Sequence, residues 1–258
     1  MTETTDADAA PDANHAAAAA GDAGAEALHR PAPPADPLAD PDYRQAVADL
    51  LGVLAYGELT AFHRLADDAR HAPTIADKAA LAAMAVAEFG HFERLNARLL
   101  ELGADPEAAM RPFVAALDGF HDKTSPADWF ESLVKAYVGD GIASDFYRAM
   151  ADFVDADTRT LVVDVLADTG HAGFAVGRVR AAIAADPKLG GRLALWGRRL
   201  LGEALAQAQR VAAERDTLTP LFTGGPDRPG ADLLELARIF NQLTEAHTRR
   251  MAALGLSA

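Results

Sequence analysis

Four long apolar stripes at helical spacing run through this chain, and each is interrupted by a carboxylate. The stripes are Leu51, Leu54, Glu58, Phe62 and Leu65; Leu81, Met84, Glu88, His91, Leu95 and Leu99; Leu133, Tyr137, Asp140, Ser144 and Tyr147; and Leu161, Val165, Asp168, His171, Ala175 and Val179. Steps of three and four residues return to one face, so each run predicts an amphipathic helix with its acid on the core side. An ionised carboxylate in an apolar interior is costly unless a counter-charge or a cation meets it. Each of these acids therefore needs a partner.

Local punctuation sets the helix boundaries. Asp40 before Pro41, Thr74 with Asp77, Ser125–Pro126 with Asp128, and Asp186 before Pro187 are N-terminal capping signals. They predict helices near 41–71, 74–103, 126–153, 157–185, 188–216 and 230–254. No alternating strand pattern appears, so the fold class is all-α. Residues 1–38 mix Ala, Pro, Gly and acids with almost no large apolar side chain, which predicts a disordered tail. The helical domain is expected over 39–258, with a core bundle over about 41–185 and two extra helices over about 188–254.

Six pairs place a carboxylate three residues before a histidine, where chance in a chain with 38 acids and 8 histidines supplies about one. Asp12/His15 and Glu26/His29 fall in the tail. Asp68/His71 closes a helix before Pro73, where a histidine favours the C-terminal dipole. Asp118/His121 lies in the segment from Pro112 to Pro126, read as a connection and hence as a local or surface feature. Glu88/His91 and Asp168/His171 alone sit in the middle of long helices.

The two halves share one plan: Gly57–Glu58 and then Glu88/His91 thirty residues on, Gly139–Asp140 and then Asp168/His171 twenty-eight residues on. One carboxylate from each of two helices, with a carboxylate-x-x-His from each of the other two, is the ligand set of a dinuclear site in a ferritin-like four-helix bundle. Four carboxylates balance two divalent cations, which removes the burial penalty. The metal ligands are expected to be Glu58, Glu88, His91, Asp140, Asp168 and His171, with Asp145 a rival to Asp140 on the same helix. Oxygen and nitrogen donors suit two iron ions, and manganese fits the same set. Tyr56, Tyr137 and Tyr147 are candidate hydrogen-bond donors around the site, and Gly90 and Gly170 are candidate points of close helix approach. The competing interpretation is a bundle whose acids and histidines pair with one another or with arginines such as Arg94 and Arg178.

Composition narrows the chemistry. The chain has no cysteine, which excludes disulfides, thiolate metal sites and cysteine nucleophiles. It has no apolar run long enough to span a membrane, and its N-terminus is acidic, so a cytoplasmic protein with no membrane partner is expected. A net charge of -14 opposes a general nucleic-acid surface. Only in 187–258 do Lys and Arg outnumber Asp and Glu, with Arg198, Arg199, Arg249 and Arg250 the first candidates for any contact with RNA.

The strings "LLGVLAYGEL", "AVAEFGHFERL", "KAYVGDGIASDFYR", "VLADTGHAGFAVGRVR" and "LALWGRRLLGEALAQAQ" resemble the actinobacterial ferritin-like proteins termed MiaE-like, after tRNA isopentenyladenosine hydroxylase. The similarity covers about residues 40–255. It implies a non-haem di-iron site that uses dioxygen and an electron donor to hydroxylate the isopentenyl group of a modified adenosine in tRNA. Glu58, Glu88 and His91 match the usual first-half ligands, whereas Asp140 and Asp168 stand where glutamates are usual. The functional expectation is an oxygen-dependent hydroxylase. Its rivals are a non-enzymatic scaffold or partner-binding protein, and an oxidase or peroxide-handling ferritin relative. The two C-terminal helices are expected to cover the bundle or to build a homodimer interface.

Overall fold

The computed structural model describes residues 36–166, 172–225 and 229–258. Where capping signals stand in the sequence, helices begin. Asp40 accepts hydrogen bonds from the amides of Asp42 and Tyr43, with Pro41 opening α1 (Pro41–Asp68). At the start of α2 (Ile75–Glu101), Thr74 accepts from the Asp77 amide at 3.1 Å and donates to its carboxylate at 2.7 Å. Each such cap satisfies backbone donors that the first turn leaves open.

Between α2 and the next long helix the chain remains helical. It forms α3 (Pro106–Met110), a single 3-10 turn and α4 (Val114–Lys123), where the prolines had suggested a connection. Asp128 then caps α5 (Trp129–Ala151), and Asp155 caps α6 (Ala156–Val165). Asp155 also accepts the Tyr43 hydroxyl proton at 3.0 Å, which ties the start of α6 to α1. The expected single helix over 157–185 is described as α6 and α7 (Ala172–Ala185), and residues 167–171 lie outside the described residues. The remaining elements are α8 (Pro187–Glu214), the short α9 (Thr219–Phe222) and α10 (Leu233–Leu254).

The core divides into two apolar clusters. One gathers Leu51, Leu54, Leu95, Leu99, Val162 and Leu243, and the other gathers Leu65, Leu81, Leu133, Val179, Leu200 and Met251. Helices α1 and α2 run through both. Glu58 falls between Leu54 and Leu65 along α1, and Glu88 and His91 fall between Met84 and Leu95 along α2, so the polar groups sit where one cluster gives way to the other. Helices α8 and α10 do more than cover the bundle: Leu193, Leu200, Met251 and Leu254 are fully enclosed in the second cluster. Among the described residues no helix is long and apolar enough to cross a membrane.

Candidate metal centre

The stripes on α1 and α2 deliver their polar residues to one point. Glu58 and Glu88 are buried, at 6% and 9% exposure, and His91 is half-buried beside them. His91 Nδ1 lies 3.3 Å from Glu58 Oε2 and 3.5 Å from Glu88 Oε2, and one donor atom from each residue lies within 4.8 Å of the others. Two carboxylates and an imidazole converging this closely form an oxygen–nitrogen donor set suited to a divalent cation.

The electrostatics of the cluster favour a cation. Burial, and then the hydrogen bond with Glu88, push the Glu58 carboxyl well above the ordinary range. Hydrogen bonds to Glu58 and then Glu88 raise His91 to about 9. A proton on this cluster thus supplies the positive charge that two buried carboxylates require, in the place a metal ion would take.

From α5, Tyr147 and Asp140 complete the wall. A Cβ at Gly57 would lie 2.9 Å from the Tyr147 hydroxyl, so the glycine before Glu58 admits the phenol against α1. Burial, and then the negative charges of Glu58 and Asp140, push the Tyr147 phenol strongly upward, which keeps it a hydrogen-bond donor. Asp140 departs from expectation in being exposed, yet it lines the same cavity as Glu58 and Glu88. Its rival Asp145 faces elsewhere, paired with Arg250 and 3.8 Å from Arg148. Asp168 and His171 lie outside the described residues.

The cavity beside the cluster measures about 130 Å³. Its far wall holds residues that the sequence did not single out as functional. Leu117, Phe120 and His121 come from α4, so His121 belongs to the cavity and corrects its assignment to a surface connection. Its Nε2 lies 3.3 Å from the Thr60 hydroxyl, and burial, followed by the charges of Lys135 and Arg64, lowers its pKa to about 3. Asp118 accepts the Tyr56 hydroxyl proton at 2.8 Å. The signal was present in the apolar spacing of Val114, Leu117 and Phe120, which Pro112 and Pro126 outweighed.

Other expectations resolve locally. Arg178 pairs with Asp77 at 2.6 Å and Arg94 donates to the Asp164 carbonyl at 3.1 Å, so neither neutralises Glu58 or Glu88. Among the described residues nothing stands within 4 Å of a Cβ at Gly90, so none of them makes a close helix contact there.

Residues 41–225 match the family model described as a ferritin-like domain of actinomycetes. The chain belongs to this family. Among solved structures, this ferritin-like chain is similar to "Protein 19 with aldehyde deformylating oxidase activity from Synechococcus". The two share 23% identity over 86% of this chain and 94% of that one, with a TM-score of 0.64, a likeness of fold. No curated protein matches the sequence.

Proposed function

We propose that this ferritin-like protein is a metal-dependent oxidoreductase, and more narrowly an oxygen-dependent hydroxylase of the MiaE-like kind. The observation that carries the proposal is the convergence of Glu58, Glu88 and His91 beside a partly open cavity whose accessible lining is mostly apolar. These three residues would hold one iron ion, with Asp140, Asp168 and His171 the candidates for a second. Bound iron would activate dioxygen, so that one oxygen atom enters a C–H bond and the other leaves as water, with two electrons and two protons drawn from a donor.

The chain's own groups suit that task. Leu117, Phe120, Ala136 and Ala143 give the cavity apolar lining, while the Tyr147 phenol supplies a hydrogen-bond donor near Glu58. The oxidase activity named for the structural neighbour is consistent with oxygen chemistry on this scaffold.

A small apolar substrate group is favoured over extensive tRNA contact. Arg250 is held by Asp145, Arg198 donates to the Ser257 carbonyl at 2.9 Å, Arg199 lies over the Trp196 ring and Arg249 lies 4.0 Å from Glu245, so all four arginines expected to contact RNA have partners within the chain. Iron content and the optical spectrum after anaerobic reconstitution test the metal reading. Comparison of tRNA nucleosides between parent and deletion strains tests the substrate: unchanged hydroxylated isopentenyladenosine, together with no salt-dependent tRNA binding, removes tRNA and leaves the small molecule.

A further inference from the structure

The cavity has a second polar end, opposite in charge to the first. Lys135 of α5 is buried at 8% exposure and lines the cavity with Arg64 of α1 and His121 of α4. Its ammonium donates to the Thr124 carbonyl at 2.6 Å and lies 5.5 Å from the Phe120 ring centre, and among the described residues it makes no ion pair. Two of its three protons are left over. A buried ammonium without a counter-ion is costly, and its burial next to a cavity points to an anion that enters from outside.

The neighbours extend the argument. His121 Nδ1 is buried without a hydrogen-bond partner among the described residues. The Thr60 hydroxyl donates to the Gly57 carbonyl at 2.9 Å, so Nε2–H donates to Thr60 and Nδ1 is left as an acceptor. Arg64 is 46% exposed and 4.0 Å from Asp122, a distance too long for a hydrogen bond, and it lines the cavity at its exposed rim. Asp68 shares this wall. Burial raises its carboxyl, and a hydrogen bond with Ser132 and then the charge of Lys135 lower it; the charges of Asp68 and Asp122 reach Lys135, but among the described residues neither forms an ion pair with it, so they compensate it only in part.

We propose that Lys135 and Arg64 bind the carboxylate of a small organic acid whose apolar tail extends toward Glu58, Glu88 and His91. A cavity of about 130 Å³ admits a tail of about four carbons, since a dry cavity of roughly 150 Å³ takes benzene. The inference rests on the metal-centre reading for the direction of the tail, because oxidation would then fall on the carbons far from the acid group. Head binding stands independently of any metal.

The test uses the metal-free full-length chain, so that a carboxylate cannot bind through iron. Pentanoate and 1-pentanol are titrated by calorimetry or ligand-observed NMR. Pentanoate is expected to bind at least about tenfold more tightly than the alcohol, because hydrogen bonds to charged groups are the stronger kind. Lys135→Met is expected to remove that advantage, and Arg64→Glu, at the exposed rim where folding is little disturbed, to weaken pentanoate by about tenfold. Equal binding of acid and alcohol, or pentanoate affinity unchanged in Arg64→Glu, overturns the proposal. Iron uptake measured separately distinguishes the two ideas: pentanoate binding without iron uptake removes the metal centre and keeps the acid site.

Discussion

The two halves of the chain write the same ligand plan, yet the structure treats them differently. On α1 and α2, Glu58, Glu88 and His91 are enclosed and in mutual contact, whereas on α5 Asp140 sits exposed at the cavity margin. One physical difference is length. A glutamate on a helix reaches one methylene further toward the bundle axis than an aspartate, and Gly57 draws Tyr147 close against the Glu58 turn. The first half is therefore built to concentrate negative charge, and the second leaves its acid in contact with water. The difference teaches that a repeated motif need not mean two equal sites: the first-half cluster is expected to bind metal tightly, and Asp140 to contribute to a weaker position.

The comparison breaks most clearly if the first half is dispensable. Glu88→Ala is expected to abolish tight metal binding, an effect of at least about a hundredfold on affinity, because it deletes a ligand and leaves Glu58 and His91 unable to close the site. Metal titration of the purified variant checks it. In the metal-free protein the sign reverses. Removing one of two buried carboxylates relieves desolvation and mutual repulsion, so Glu58→Gln should match or exceed the wild type in chemical stability without metal and fall below it with metal.

A pH series sharpens the same contrast. His91 binds its proton more tightly when folded, at about 9 against an unfolded value near 6.5, so the folded state holds more protons in that window. The stability this contributes is complete below about pH 6.5 and is lost as pH rises toward 9, with a slope of at most about 1.4 kcal/mol per pH unit. Denaturant melts of metal-free protein should show that decline. Metal-loaded protein should not, because the proton is already displaced.

The smallest effect is expected at Asp140. Asp140→Asn, at an exposed position, should change metal-free stability by less than about 0.5 kcal/mol and lower the second equivalent of metal while sparing the first. Loss of both equivalents together would mean that the halves act as one site.

Much of this arrangement was legible from local rules. Asp40, Thr74 and Asp186 cap helices as their sequence contexts demand, whereas α5 is capped by Asp128 rather than opened at Ser125–Pro126; the stripes on α1 and α2 bring Glu58, Glu88 and His91 together. The exposure of Asp140 was not legible, because the buried face of α5 is carried by Leu133, Val134, Val138 and Ile142, and a three-and-four spacing fits more than one face of so apolar a helix. His121 and Lys135 were hidden for another reason. They line one cavity because α4 packs against α1 and Lys135 reaches Phe120 and Thr124 near the end of α4, contacts that neither residue's own neighbours in sequence announce.

The most direct measurement is iron bound per chain after anaerobic reconstitution and desalting, for the wild type beside a Glu58→Gln/Glu88→Gln double variant. Both proteins should remain helical, since amides replace carboxylates of nearly the same shape. The expected result is iron retained by the wild type and lost from the double variant. Equal iron in both, or none in the wild type, would contradict the metal centre.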